Sequence, residues 1–316
     1  MTKNYKIAMF GNLGISYGQI CDENHIRDAF KDIGCTVYEN PSLDLLPTVD
    51  LILTFKSNRV GPNTIKEWKT KTTVPVFIWS FDNMDRFSWF YDVAKECDLW
   101  LGEELGRRER FLAKGIPFYY FPNHVVNSKY FHKIEMGEQF KEYDVLFTGT
   151  PYADDKNSKF EILRAVQEKF SLHVYGNNPN GWRNQGMKNV YGPAFDDKLS
   201  EVISKSKIVL SISNTRLEGY WSIRASQVLL CGGFCLQRYS PQMEKESKDC
   251  VVYWSEKDDL LEKIDTYLKS PELRKEVADK GYDYAKKWLT NEQRCRELLI
   301  VFENFKLNKE LFVPKI

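Results

Sequence analysis

Residues 208–236 decide the fold, and they read IVLSISNTRLEGYWSIRASQVLLCGGFCL. The stretch opens with the apolar run from Ile208 to Ile212, which predicts a buried strand. A helical pattern follows over residues 224–230, the pair Gly232–Gly233 ends it, and Phe234 begins the next apolar run. An apolar strand, a helix and a second apolar strand are typical of a parallel sheet that is covered by helices.

The same alternation extends in both directions along the chain. Strands are predicted at residues 6–10, 36–38, 50–55, 74–79, 98–101, 117–121, 143–147, 172–175, 208–212, 234–236 and 251–253. Helical patterns stand between them, and three more helices close the chain. Residues 131–142 are polar and carry no strand pattern, so we interpret them as a linker between two α/β halves.

Composition excludes several classes of protein. Of the 316 residues, 42% are hydrophobic and 28% are charged, which excludes a mainly disordered chain. The formal net charge is +1, which gives no support for long-range attraction to nucleic acid or to anionic lipid. No apolar run approaches the ~18 residues of a membrane span, and the first residues lack the pattern of a signal peptide. Seven cysteines without a tight pattern fit reduced thiols, so we expect a cytoplasmic protein.

Several familiar site motifs are absent from the sequence. It contains no Walker A motif, no strict dinucleotide fingerprint, no Asp-x-Asp pair and no nucleophile elbow. Gly11, Gly14 and Gly18 follow the first strand, and such a turn can bring N–H groups to a phosphate or merely turn tightly. Cys231 and Cys235 could belong to a zinc site, but two small core residues are the simpler interpretation.

The loop before the helix at 224–230 combines groups that bind anions. Ser222 and Arg224 stand where the chain enters this helix, on the side where α/β sheets bind ligands. Free N–H groups, a hydroxyl and a guanidinium can then meet one anion, and a diphosphate matches them. The alternative is a surface loop in which Arg224 pairs with Glu218.

This segment resembles the donor-binding region of two-domain glycosyltransferases with the GT-B fold. It is most similar to the branch related to the spore maturation protein CgeB. The resemblance rests on Ser222-Ile223-Arg224, Gln227 and Leu230-Cys231-Gly232-Gly233. Weaker agreement extends over most of residues 75–300, at 79–82, 98–100, 121–125, 147–152, 174–176, 190–193 and 258–299.

The resemblance implies two Rossmann-like domains that face each other across a cleft. Residues 1–140 would form the acceptor-side domain and residues 141–316 the nucleotide-sugar donor domain, with the last helix crossing back toward the first domain. The implied activity is transfer of a sugar from a nucleotide-diphosphate sugar to an unidentified acceptor, with retention. The implied reaction uses neither a metal nor another cofactor.

The resemblance also implies roles for individual residues. Arg224, with Lys156 or Lys159 as a second charge, would stabilise the departing diphosphate. The backbone at Gly149 and Thr150 would approach the phosphates. The other donor-side positions are expected to hold the base, the ribose and the phosphate, and they are Tyr175, Gly176, Val190, Tyr191, Glu218, Ser222 and Gln227.

Gln227 is where this sequence departs from the family pattern. Many retaining members carry two acids eight positions apart, and the second acid contacts the ribose hydroxyls. Here Gln227 occupies the second position, and Glu218 lies nine positions before it. A neutral amide still accepts a hydrogen bond, but we expect weaker ribose binding than a carboxylate would give.

Acceptor-side residues are predicted from the first half of the chain. Asp82 directly follows the strand at 74–79 and its short extension, so it could accept the proton of the acceptor hydroxyl or orient the donor sugar. It could equally be the N-cap of a helix. His124 is a weaker candidate, and the basic face of Arg107–Arg110 is either an acceptor surface or a solvated helix face.

Three other functions remain open at this stage. The same fold hosts nucleotide-sugar epimerases, which need no acceptor. A non-catalytic sugar-nucleotide binding protein is suggested by Gln227. A transferase that acts on modified DNA bases is the third, although the near-neutral charge argues against nucleic-acid binding.

Overall fold

The structure, a computed structural model, describes residues 4–16, 19–20, 22–55, 60–81, 89–151, 159–213 and 218–307. The chain divides into two compact units. Unit 1 comprises Met1–Asn123, Leu217–Gly219 and Asn291–Ile316, and unit 2 comprises His124–Arg216 and Tyr220–Thr290. The sequence analysis placed residues 124–140 in the first domain, whereas the structure groups them with unit 2. It counted residues 291–316 with the second domain but expected the last helix to cross back toward the first, and the structure groups this segment with unit 1.

Unit 1 is built on a parallel sheet whose strands are short apolar runs. The described strands of this unit are β1 Lys6–Phe10, β2 Ile15–Ser16, β3 Gln19–Ile20, β4 Thr36–Glu39, β5 Leu51–Phe55, β6 Val76–Trp79, β7 Leu99–Gly102 and β8 Phe118–Tyr120. Six of these described strands form one sheet in the order β4-β1-β5-β6-β7-β8, and β2 and β3 form a separate antiparallel pair.

The helices of unit 1 cover both faces of its sheet. The described helices are α1 Asp22–Asp32, α2 Pro62–Lys71, α3 Trp89–Glu96, α4 Arg108–Leu112 and α12 Asn291–Leu307, with 3₁₀ turns at Leu43–Thr48 and Leu105–Arg107. Alternate strand residues point to opposite faces, so Ile7 and Met9 join the core under α1 and α12 while Ala8 joins the core under α2 and α3. Burial on both faces explains why these strands are almost wholly apolar.

Unit 2 repeats the architecture with a second parallel sheet. Its described strands are β9 Tyr143–Thr148, β10 Leu172–Tyr175, β11 Asn189–Tyr191, β12 Ser206–Ser211, β13 Cys235–Arg238 and β14 Val252–Trp254. Its described helices are α5 Lys159–Lys169, α6 Pro179–Asn184, α7 Asp196–Ser204, α8 Ile223–Leu230, α9 Pro241–Ser247, α10 Lys257–Leu268 and α11 Pro271–Trp288, and 3₁₀ turns lie at Glu138–Phe140 and Lys248–Cys250.

The strand order of unit 2 determines where its ligand site can form. Among the described strands the order is β11-β10-β9-β12-β13-β14, and every neighbouring pair is parallel. The chain leaves β9 toward β10 on one side and later returns to β12 on the other. Open parallel sheets bind ligands where the order reverses in this way, at the carboxyl ends of the two strands. In unit 2 that point lies between β9 and β12.

The predicted fold class, an α/β chain with two Rossmann-like domains, is confirmed by the two parallel sheets. The structure adds elements that the apolar pattern did not reveal: the β2–β3 pair, the edge strand β11 and the short helices α6 and α9. Phe131, in the predicted linker, is buried in the core of unit 2. Within the described residues no helix is long and apolar enough to cross a membrane.

Candidate functional site

Arg224 lies at the point where the strand order of unit 2 reverses. Its Nε donates to the carbonyl oxygen of Thr148 at 2.5 Å, and its Nη1 donates to the carbonyl oxygen of Ile212 at 3.0 Å. These carbonyls belong to the carboxyl ends of β9 and β12. The guanidinium carbon lies 4.7 Å from the centre of the Phe147 ring. Both acceptors are main-chain carbonyl oxygens, so these two contacts orient the guanidinium.

The N-terminus of α8 lies beside this guanidinium. Ser222 is the N-cap of α8, and its hydroxyl accepts the N–H of Arg224 at 3.3 Å and a bond from Arg224 Nη1 at 3.4 Å. Only 9% of Ser222 is exposed, so the hydroxyl is held in place. The predicted combination of a hydroxyl, a guanidinium and a helix N-terminus is therefore present in one place.

The loops after β9 and β10 cross each other at two glycines. A Cβ on Gly176 would lie 1.8 Å from the carbonyl oxygen of Gly149, and a Cβ on Gly149 would lie 2.8 Å from Nη2 of Arg224. Gly149 N–H donates to the Tyr175 carbonyl oxygen at 2.9 Å, and Trp182 Nε1 donates to the Gly149 carbonyl oxygen at 3.0 Å. The backbone at this crossing is therefore fixed, and it has no room for side chains.

Lys159 brings a second cation to the same loop. It is the first described residue of α5, and 5% of it is exposed. Its Nζ lies 3.3 Å from the carbonyl oxygen of Thr150 and faces the rings of Phe160 and Trp182 at 5.4 and 5.7 Å. Thr150 directly follows Gly149, so Lys159 and Arg224 both contact the segment that ends β9.

The tyrosines predicted to hold a base belong to an aromatic cluster on β9, β10 and β11. Tyr175 and Tyr191 stack with ring centres 4.5 Å apart, and the hydroxyls of Tyr175 and Tyr143 are 3.0 Å apart. Burial raises the pKa of Tyr175, so its hydroxyl stays neutral. Tyr191 also hydrogen-bonds Nδ1 of His173 at 3.1 Å. Each stacked ring covers one face of the other, and base stacking by these rings stays a prediction.

The side chain of Val190 is buried in the core of unit 2, so its predicted contact with the base stays a prediction for its backbone alone. Its carbonyl oxygen accepts from Nη2 of Arg183 at 3.1 Å.

Gln227 shares a face of α8 with Arg224. The buried residues of this helix are Ala225, Ser226, Val228, Leu229 and Leu230. Arg224 and Gln227, three positions apart, are among the partly exposed residues that remain, together with Ile223 at its start. Glu218 belongs to unit 1, where its carbonyl oxygen accepts the N–H of Gly106 at 3.1 Å. Ribose contacts by either residue stay predictions.

Two predicted site residues, Asp82 and Lys156, lie outside the described residues, as does Gly18. Two weaker candidates have structural contacts. His124 is 1% exposed, its Nε2 accepts the N–H of Trp221 at 3.4 Å, and its ring packs on the Trp221 ring. Arg107 is buried and pairs with Glu104, so the basic stretch at 107–110 is not one continuous solvated face.

The sequence analysis missed Trp182 and the main-chain acceptors of Thr148 and Ile212. Trp182 is fully buried, and it fixes Gly149 from α6. The turn Asn178-Pro179 was an available signal, because Pro is favoured in the first turn of a helix and Asn178 accepts the N–H of Gly181. Carbonyl acceptors carry no sequence signal, since every residue supplies one.

The described residues contain no group of three or more His, Cys, Asp or Glu side chains placed to hold a metal ion. Cys231 and Cys235 are buried in the core of unit 2, and burial raises the pKa of both thiols to about 12. Both therefore behave as small apolar residues at neutral pH.

Residues 159–300 match the model of a family described as glycosyl transferase-like. The matched stretch is 142 of the 316 residues, less than half of the chain. The match begins at Lys159 and contains Ser222, Arg224 and Gln227. It confirms the predicted glycosyltransferase class for this stretch of the chain.

Solved structures with the same fold extend over nearly the whole chain. Sucrose-phosphate synthase from Thermosynechococcus elongatus is similar over 96% of this chain and 100% of its own, with 10% identity and a TM-score of 0.68. Anabaena HepE in complex with UDP and glucose is similar over 95% of this chain and 100% of its own, with 10% identity and a TM-score of 0.65. T4 phage BGT in complex with UDP and Mn²⁺ is similar over 94% of this chain and 99% of its own, with 16% identity and a TM-score of 0.64.

At these identities the likeness shows the fold, which is that of the GT-B glycosyltransferases. No curated protein sequence matches the chain at a significant level.

Proposed function

We propose that this protein transfers a glycosyl group from a UDP-sugar to an acceptor and that unit 2 binds the donor. The observation that carries the proposal is the position of Arg224, which two carbonyl oxygens hold where the strand order reverses. The glycosyl transferase-like match over residues 159–300 supports the reaction class. The choice of UDP is supported by the neighbours of the same fold that were solved with UDP.

The chemistry of the departing diphosphate explains the groups at this site. Glycosyl transfer has an oxocarbenium-like transition state, and negative charge builds on the leaving phosphate as the bond breaks. Fixed cations and N–H groups that face this charge stabilise the transition state more than the ground state. We assign this role to Arg224, to Lys159 and to the N-terminus of α8 capped by Ser222. Lys156 is proposed as a further cation.

The remaining donor contacts follow the same reasoning. The crossing of Gly149 and Gly176 would let the backbone approach the phosphates, together with Thr150. Val190 and the stacked pair Tyr175 and Tyr191 would flank the base. Gln227 would face the ribose from the exposed side of α8, and Glu218 would contact the sugar side.

The acceptor-side assignment and the family branch are also proposals. Asp82 would take the proton of the acceptor hydroxyl. The CgeB-like branch, retention at the anomeric carbon and the division at residue 140 rest on the sequence resemblance. A reducing compartment such as the cytoplasm is supported by the thiols, because the six described cysteines are free.

Replacing Arg224 tests the proposal. Arg224→Ala should lower kcat/KM for UDP-sugar turnover, because a fixed charge at the leaving diphosphate is lost. The expected fall corresponds to a loss of about 2–4 kcal/mol of transition-state stabilisation. Arg164→Ala is the matched control, since Arg164 is an arginine of the same unit that also donates to a main-chain carbonyl, at 3.5 Å. Steady-state UDP release would be measured for both, with circular dichroism to show folding.

Normal turnover in folded Arg224→Ala would remove Arg224 from the site. If turnover without any acceptor yields an epimerised UDP-sugar, the protein is an epimerase and the proposed transferase activity is wrong. Binding of UDP without turnover against a broad acceptor panel would favour a binding protein.

A chelator tests the metal-independent part of the proposal. The leaving diphosphate is proposed to be neutralised by Arg224 and Lys159, and the sequence has no Asp-x-Asp pair to chelate a metal. We expect UDP-sugar turnover to be unchanged, within about twofold, after EDTA treatment. A strict requirement for Mn²⁺ or Mg²⁺, restored by adding the ion back, would contradict this.

A further inference from the structure

The carboxyl ends of β10 and β11 lie at the same edge of the unit 2 sheet as the Arg224 site. Tyr175 is the last residue of β10, Tyr191 is the last residue of β11, and the two are register partners. β11 stands two strands away from β9, which is roughly 10 Å at the usual spacing between strands. A nucleotide whose diphosphate lies at Arg224 can therefore bring its base to the ends of these outer strands.

The stacking of the two tyrosines shows which way the ring of Tyr191 faces. The ring centres of Tyr175 and Tyr191 are 4.5 Å apart, and the ring planes differ by 17°. This distance is close to the spacing of about 4.8 Å between neighbouring strands, so the stack runs across the sheet. The second face of Tyr191 therefore points away from β10, beyond the outermost strand of the described sheet. Tyr191 is 37% exposed, so a flat ligand can reach this outward face.

His173 holds the tip of the same ring. Its Nδ1 lies 3.1 Å from the hydroxyl of Tyr191, and its Nε2 lies 3.1 Å from the hydroxyl of Ser171. Burial lowers the pKa of His173, so the imidazole is neutral at neutral pH. A neutral imidazole has one donor and one acceptor nitrogen, which the two hydroxyls can satisfy together. The ring of Tyr143, with its centre 4.5 Å from that of the imidazole, packs against His173 in turn.

We propose that the base of the donor nucleotide stacks on the outward face of Tyr191 and that His173 is a positioning residue, which holds this ring through its hydroxyl. The inference rests on the proposed function, because it places the base of the same nucleotide. An aromatic ring stacks on any base, since every base has a π-face. A ring that is already held by Tyr175 and His173 has little side-chain entropy left to lose when the base arrives. His173 acts only through Tyr191 in this arrangement.

The experiment compares UDP with inorganic pyrophosphate, which has two phosphates but no base. Isothermal titration calorimetry measures both ligands on Tyr191→Ala, Tyr191→Phe, His173→Phe and the double variant His173→Phe/Tyr191→Phe. Tyr239→Phe is the matched control, because Tyr239 is an exposed tyrosine of the same unit whose hydroxyl bonds Glu244 at 3.0 Å. Circular dichroism shows whether each variant is folded.

Tyr191→Ala should weaken UDP binding about tenfold, because the stacking surface is lost. Tyr191→Phe and His173→Phe should each weaken it about threefold, since each removes one partner of the same hydrogen bond. The double variant should lose no more than either single variant, because the second change has no bond left to remove. Pyrophosphate affinity should stay unchanged in all of these variants, and Tyr239→Phe should bind both ligands as the wild type does.

Three results would overturn the inference. Unchanged UDP affinity in Tyr191→Ala would show that the base does not stack on this ring. Additive losses in the double variant would show that His173 does not act through the Tyr191 hydroxyl. Equal weakening of UDP and pyrophosphate would show a general loosening of unit 2. A wild-type protein that binds UDP but gives any of these results leaves the proposed function in place, whereas a wild-type protein that binds no UDP contradicts both.

Discussion

At the scale of single residues, Arg224 shows how the fold sets up a charge before any ligand arrives. Its guanidinium contacts the carbonyl oxygens of two different strand ends and the hydroxyl of Ser222. These contacts fix the position of the side chain, so little conformational entropy would remain to be lost on binding. A cation fixed in this way stabilises developing negative charge without rearrangement.

Gln227 provides a residue-scale prediction because it stands where the glycosyltransferase pattern that the sequence resembles has an acid. If its side chain faces the ribose, Gln227→Glu should tighten UDP binding by about 0.5–1.5 kcal/mol, since a carboxylate accepts two charge-assisted hydrogen bonds. The gain stays small because the new charge is partly desolvated and lies near a diphosphate. Titration calorimetry with UDP and with the UDP-sugar should show equal gains, because both contain the ribose. Unchanged or weaker UDP binding in Gln227→Glu would show that the side chain of Gln227 does not contact the ribose.

The residues of the site differ in how far the sequence could predict them. Ser222 and Arg224 were predictable because a hydroxyl and a guanidinium stand at the start of one helix, within three positions. Trp182 was not, because its contact with Gly149 joins positions 33 apart and depends on the packing of α6. The stacking of Tyr175 on Tyr191 likewise follows from strand register, in which these residues are partners on β10 and β11.

At the scale of elements, the loops after β9 and β10 must cross within van der Waals distance. Gly176 makes this crossing possible, because the space for its Cβ is filled by the Gly149 carbonyl oxygen. That oxygen also receives the Trp182 bond, so the crossing cannot widen without loss of a hydrogen bond. The position of Gly149 beside Arg224 thus depends on a glycine in a different loop.

Gly176→Ala tests this crossing. The added methyl group must displace backbone atoms, so we expect a loss of about 1–3 kcal/mol in the free energy of unfolding and weaker UDP binding. Gly192→Ala is the control in the same unit, because nothing lies within 4 Å of its Cβ position, and its stability should change by less than about 0.5 kcal/mol. Urea denaturation and UDP titration measure both effects. Equal stability of the two variants would show that the loops yield easily.

The elements themselves follow the apolar pattern closely where burial is continuous. The strand predicted at residues 6–10 agrees with β1, and the helix predicted at 224–230 begins one residue earlier as α8. The helical pattern expected between the strands at 98–101 and 117–121 is instead a 3₁₀ turn followed by the short helix α4. Periodicity predicts the buried face of an element, whereas its ends depend on capping and on tertiary contacts.

At the scale of the whole molecule, the chain completes unit 1 only with its last helix. Unit 1 contains residues from both ends of the chain, and unit 2 is formed mainly by the residues between them. The side chains of α12 that face the sheet of unit 1 are buried, among them Cys295, Leu298 and Phe302. The apolar face of α1 therefore stays without part of its cover until the final residues fold.

Phe302→Ala should consequently destabilise unit 1 and leave unit 2 largely unaffected. Phe302 is 1% exposed and packs edge-on against Phe77, with ring centres 6.1 Å apart, and against Tyr5 at 6.0 Å. Its removal leaves a cavity in the core and should cost about 3–5 kcal/mol in the free energy of unfolding. Ile300→Ala on the same helix is the control, because 61% of Ile300 is exposed and its loss should cost little.

Hydrogen exchange followed by mass spectrometry would compare amides of β1, β5 and β6 with those of β9 and β12 in Phe302→Ala. Faster exchange confined to the unit 1 strands is expected, because local opening reports the stability of each cooperative unit. Equal loss of protection in both sheets would show that the two units unfold together, so that α12 stabilises the whole chain and not unit 1 alone.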